Sequence, residues 1–152
     1  MTVCRRYSRD QKEAEDVLQE SFIRVFANIR QYRFEGPLEA WIRRIVVHTA
    51  LKIIRKKNIH FDDLDSHPEE IPLIDSEALT NLGAEELLRL IAGLPDGYRL
   101  VFNLHVIEGY DHGEIAAMLN IDTVTSRSQF LKARRRLQTQ IEKLSKIPGK
   151  YA

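Results

Sequence analysis

Residues 111–137 read DHGEIAAMLNIDTVTSRSQFLKARRRL, and the fold turns on Asn120-Ile121-Asp122 near the middle of that stretch. Asparagine tolerates the left-handed backbone that ends a helix, and Asp122 is suited to cap a new one starting within three residues of the last. Ile121 supplies an apolar plug between them. Upstream, Asp111 stands three residues before Glu114, a capping-box pattern, and Ile115, Met118 and Leu119 give a short helix its buried face. The spacing predicts a helix-turn-helix whose second helix begins at about Thr123.

That second helix contains five cationic side chains in residues 126–137 and no acidic one. Surface helices usually mix the signs, because opposite charges four residues apart attract and like charges repel. Arg127, Ser128, Leu131 and Lys132 fall on one contiguous face, while Phe130, Ala133 and Leu137 can turn inward. In such motifs this helix enters the major groove, where Arg reads guanine edges and Lys does so or neutralises phosphate. Arg134, Arg135 and Arg136 suit backbone phosphates better. A solvated face whose basic end complements the helix dipole would have the same composition. Charge alone leaves both readings open.

Over the whole chain the charges nearly cancel, with 23 Lys plus Arg against 22 Asp plus Glu, but they are segregated. Residues 1–57 hold 13 basic and 7 acidic side chains, residues 58–88 hold 9 acidic and none basic, and residues 89–152 hold 10 basic and 6 acidic. The basic blocks point to a polyanionic partner. Residues 58–83 lack helical periodicity and include Pro68 and Pro72, as an extended acidic linker would. At 152 residues, 43% of them hydrophobic, the chain can form one domain or two small ones. Cys4 stands alone, which excludes an internal disulfide, and no apolar run reaches membrane length, so a cytoplasmic protein without membrane insertion is expected. His48, His60, His67, His105 and His112 show no metal-ligand spacing, and neither a phosphate-cradling glycine loop nor a nucleophile motif is present. No cofactor, catalytic residue or small-molecule substrate is expected.

Elsewhere the period is again helical. Ala14, Val17, Leu18, Phe22, Val25, Phe26 and Ile29 form a stripe over residues 11–30. Leu38, Trp41, Ile42, Ile45, Val46 and Thr49 form another after the break at Gly36-Pro37, with Trp41 expected as a core anchor. A helix over 85–93 stops at Leu94-Pro95-Asp96, and the next runs to about Ile107 before Gly109. The expected fold class is therefore all-α: a helical domain over 1–57, the linker over 58–83 and a helix-turn-helix domain over 84–152.

Two separated parts of the chain together resemble the bacterial extracytoplasmic-function (ECF) sigma factors. Residues 13–23, EAEDVLQESFI, look like the family's AEDxxQExF signature, and residues 41–50, WIRRIVVHTA, like WxxRIxxNxA. Leu94-Pro95-Asp96-Gly97-Tyr98-Arg99, then Glu108-Gly109-Tyr110 and Glu114-Ile115-Ala116, are similar to the LPxxxR, EGxS/Y and EIA series. The resemblance implies a non-catalytic subunit that binds core RNA polymerase and promoter DNA and is restrained by an anti-sigma factor. Asp16, Gln19 and Glu20 would grip the polymerase clamp. Arg33, Phe34, Glu35, Gly36, Arg44, His48 and Lys52 would engage the minus-10 element, the first four in a loop that captures a flipped base. Arg99, Arg127, Ser128, Leu131, Lys132, Arg134 and Arg135 would serve the minus-35 element, and the acidic linker would thread the polymerase cleft.

The chain departs from the family pattern in places. His48 stands where the signature commonly has Asn and reads equally as a structural histidine; Phe34 and Pro37 replace small polar residues; Arg99 could instead pair with Asp96. The family has more helix ahead of the AEDxxQE segment, so a member shortened at the N-terminus, or an upstream start, is expected. A helix-turn-helix regulator independent of polymerase, or an all-helical interaction adaptor, would share the basic helix but leave the first module's signatures unexplained.

Overall fold

A computed structural model describes residues 1–56, 61 and 83–145, and every regular element among them is helical. The chain divides into two compact units, Met1–Ile59 and His60–Ala152. The expected linker, residues 58–83, lies outside the described residues except for Phe61 and Gly83.

The first unit holds α1 (Thr2–Tyr7), α2 (Gln11–Asn28) and α3 (Leu38–Arg55), with α1 packed on both others. Asp10 starts α2: its Oδ1 accepts the Glu13 N–H at 2.8 Å, and the Glu13 carboxylate accepts the Arg9 N–H at 2.9 Å. Two backbone donors at the helix start are satisfied at once. Cys4, Tyr7, Ala14, Val17, Val47, Ala50 and Leu51 are buried at the centre. Burial pushes the Cys4 thiol above its ordinary range, which keeps it in the unreactive thiol form.

The stripe expected on α2 is only partly buried. Ala14, Val17 and Val25 are inside, but Phe22, Phe26 and Ile29 are 48%, 71% and 43% exposed. Ser21 turns inward instead, its hydroxyl donating to the Val17 carbonyl at 2.6 Å. Periodicity identifies the apolar side of a helix but not whether another element covers it. Here that side borders a cavity of about 190 Å³ lined by Val3, Leu18, Phe22, Val25, Ile42 and Val46, among others. Trp41 is likewise half-buried rather than a core anchor, because the first two turns of α3 contain no fully buried residue; its ring packs on Tyr32, 5.6 Å between centroids.

The second unit holds α4 (Ala84–Ala92), α5 (Asp96–Phe102), a π-helical turn (Asn103–Ile107) that continues α5, α6 (His112–Leu119) and α7 (Thr123–Ser145). The break at Leu94-Pro95 falls where the sequence placed it, and Gly109 takes the left-handed φ of 81° that ends the π turn. Elements α4, α5 and α6 all pack on α7. Ile91, Leu94, Ala133 and Leu137 form one buried cluster, with Leu87, Leu90, Tyr98 and Phe102 against it.

Candidate nucleic-acid interface

The turn between α6 and α7 adopts the geometry read from the sequence. Asn120 sits at φ 55°, ψ 49°, and the Ile121 N–H reaches back to the Ala116 carbonyl at 3.1 Å. The Asp111 carboxylate accepts the Glu114 N–H at 2.8 Å while the Glu114 carboxylate accepts the Asp111 N–H at 2.9 Å, so the capping box is complete. Asp122 caps α7 by accepting the Thr125 N–H at 2.6 Å, and hydrogen bonds from Thr125 hold its carboxyl below the usual carboxylate range.

On α7, Arg127 and Leu131 are exposed and Ser128 and Lys132 half-buried, which keeps the expected reading face together. Arg134, Arg135 and Arg136 are exposed further along. Ala133 and Leu137 face inward as expected, and Phe130 is half-buried, but the fully buried residues in the first turns are Ser126 and Gln129. Val124, which the sequence reading passed over, is 53% exposed one turn before Arg127 and Ser128. An apolar side chain there is suited to the methyl group of thymine. Its only sequence signal was an apolar residue on the open face of a basic helix.

Arg99, expected at the minus-35 element, is instead buried and paired with Asp96, the alternative the sequence offered. It is 6% exposed; its guanidinium pairs with the Asp96 carboxylate at 2.8 Å and donates to the Ala92 carbonyl at 3.2 Å. With its guanidinium held by the Asp96 carboxylate and the Ala92 carbonyl, Arg99 braces the junction of α4 and α5.

In the first unit, Asp16 and Gln19 are exposed on α2, while Glu20 is half-buried and paired with Arg24 at 2.8 Å. The loop that follows exposes Arg33, Phe34, Glu35 and Gly36. Phe34 is 85% exposed at φ 59°, a conformation costly for an aromatic residue. Tyr32 organises the loop: its hydroxyl donates to the Gly36 carbonyl, and its ring lies 4.7 Å from Phe34 as well as against Trp41. Arg44, His48 and Lys52 are exposed at four-residue intervals on α3, forming a polar stripe. Partial burial of the His48 ring, with repulsion from Arg44 and Arg55, lowers its pKa, so it is largely neutral at pH 7.

Among the described residues no group of three or more His, Cys, Asp or Glu is arranged to hold a metal ion, and no helix is long and apolar enough to cross a membrane.

Two small helical units, one ending in a capped helix-turn-helix, define a class that comparison with known proteins identifies. The sigma-70 region 2 family matches residues 1–59, and the sigma-70 region 4 family matches residues 84–137. The ECF RNA polymerase sigma factor SigE of Mycolicibacterium smegmatis is 32% identical over 146 residues, covering 92% of this chain and 56% of its own length. SigW of Bacillus subtilis, also an ECF RNA polymerase sigma factor, is 27% identical over 93% of this chain and 82% of its own. The sigma factor RpoE from Bartonella quintana, solved in complex with the anti-sigma factor NepR, shares the fold with a TM-score of 0.54 and 19% identity over 94% of this chain and 89% of its own. The chain belongs to the ECF sigma factors.

Proposed function

We propose that this chain directs promoter-specific initiation in the cytoplasm, binding core RNA polymerase and two promoter elements through residues divided between its units. The observation that carries the reading is the capped turn at Asn120, which leaves Arg127, Ser128, Leu131 and Lys132 on the open side of α7. In this reading that face enters the major groove of the minus-35 element, while Arg134 and Arg135 hold phosphates. Asp16, Gln19 and Glu20 contact the polymerase clamp. Phe34, poised on Tyr32, offers its ring to a base leaving the stack at the minus-10 element, and Arg33, Glu35, Gly36, Arg44, His48 and Lys52 surround the opened strand. Residues 1–57, 58–83 and 84–152 are the corresponding functional divisions, with an acidic linker between the two. An anti-sigma factor is the proposed restraining partner, supported by the complex in which the Bartonella fold neighbour was solved.

The test mixes the purified chain with sigma-free bacterial core polymerase, follows co-elution at moderate salt, and maps transcripts from a genomic library. Co-elution and discrete new start sites are expected. Absence of both would overturn the assignment.

A further inference from the structure

The proposed functional surfaces do not use the two half-buried histidines packed against the helix-turn-helix. His105, in the π turn after α5, and His112, the first residue of α6, stack with centroids 4.4 Å apart and planes at 22°. Phe130 of α7 closes the cluster, 4.8 Å from His105 and 5.7 Å from His112. Because the Tyr110 carbonyl can only accept, the 2.8 Å contact to His105 Nδ1 places a proton on that nitrogen. His112 Nδ1 meets the Ser126 hydroxyl at 3.0 Å, and Ser126 is fully buried beside Arg127. Three chain segments thus converge on the turn of α7 that carries the leading candidate for base reading.

We propose that the His105–His112 stack positions the recognition helix: with His112 neutral it fixes the turn bearing Arg127, and protonation of His112 releases that turn and weakens minus-35 readout. The inference rests on the minus-35 reading above. The groups around His112 disfavour a proton on its ring. His105 is its stacking partner, Arg127 approaches from α7, and Arg134 lies 5.9 Å over the Phe130 ring. The positive end of α6 adds to this. Asp111 opposes it, and its carboxylate is occupied by the Glu114 N–H. Partial burial, then His105 and Arg127, hold His112 below the ordinary histidine range, in agreement with that geometry. A group whose folded pKa is depressed is neutral in the native state while the unfolded chain still takes a proton. Its stabilising contribution is present above about pH 6.5 and is lost as pH falls below that value.

The sign separates this device from ordinary electrostatics. A histidine merely lying near phosphate would tighten DNA binding in acid; a released recognition helix loosens it. The full chain is used to enrich a pool of 30-base-pair duplexes with random centres at pH 7.5, and the enriched duplex is titrated from pH 7.5 to 5.5. Binding is expected to weaken severalfold across that range. His112→Asn, which keeps a polar atom where Nδ1 stands but cannot titrate, is expected to lose that acid-side weakening. Tighter or unchanged wild-type binding in acid, or an identical slope in His112→Asn, would overturn the proposal. A parallel NMR titration of the wild type needs neither DNA nor the variant: the Ser126 and Arg127 amides are expected to move with the His112 ring. If they stay still, the coupling is disproved. A pool that yields no preferred duplex would count against the minus-35 reading, while the amide shifts would still decide whether the stack positions the helix.

Discussion

Arg127 lies in the second turn of α7 and Arg135 two turns beyond it, so a groove that admits the helix end places the first near base edges and the second near the backbone. Arg127→Ala is expected to cost about 1–3 kcal/mol on the preferred duplex and little on scrambled DNA. Arg135→Ala should instead weaken every sequence alike and lower the salt dependence by about one phosphate contact. Competition titrations at two salt concentrations distinguish them, and equal, sequence-independent losses would remove Arg127 from the reading role. Phe34 presents the opposite balance of stability and function. Its left-handed backbone costs about 1–2 kcal/mol, which glycine would not incur, although glycine also gives up the Tyr32 contact and adds chain entropy. Phe34→Gly should therefore leave the melting temperature close to wild type while weakening binding to a single-stranded minus-10 oligonucleotide by about 1–3 kcal/mol, the contribution of one stacked base. A large loss of stability with unchanged strand binding would show that the ring serves only the loop.

Among the elements, α6 and α7 are specified by their caps. Asp111→Ala should destabilise the second unit by about 1 kcal/mol, measured by denaturant unfolding, because it leaves the Glu114 N–H without its acceptor. Asp122→Ala carries a pH signature. The depressed carboxyl means that its cap contributes fully above about pH 4, the ordinary carboxylate value, and is lost as pH falls below it. The stability gap between wild type and Asp122→Ala should be constant near neutrality and narrow as pH falls below about 4; a gap that does not narrow in acid would refute the cap as its source. These local devices were legible because a cap is a contact between residues three apart. Features that depend on tertiary packing were not. The sequence could not tell that Phe22, Phe26 and Ile29 would remain exposed, since nothing local states which element covers a helix face. Nor could it bury Arg99, whose enclosure depends on the Ala92 carbonyl at the end of the preceding helix. Ser126 and Gln129 broke the apolar pattern of α7, and at Ser126 the reason is a histidine fourteen residues upstream. The His105–His112 stack was missed because a metal search asks for ligand spacing, whereas this pair is joined by ring faces.

For the whole molecule the decisive quantity is the segregation of charge. Nine acidic and no basic side chains in residues 58–88 stand between two blocks with a basic excess, a distribution that overall neutrality conceals. Free in solution, an acidic segment offers the neighbouring basic surfaces an internal counter-charge; inside a channel built to hold nucleic acid, the same segment is attracted by the channel's positive lining. Neutralising Asp62, Asp63, Asp65, Glu69, Glu70, Asp75 and Glu77 to their amides therefore separates the two partners. Association with core polymerase should weaken and become less sensitive to salt, because the variant loses long-range attraction that screening would otherwise reduce. Binding of the enriched duplex by the isolated chain should be retained or strengthened, since an acidic competitor for the Arg127 face has been removed. Measuring both affinities across a salt series for the same preparation makes the comparison internal. Unchanged polymerase association would mean that the linker acts only as a tether, and its lack of lysine and arginine would need a cause other than the polymerase channel.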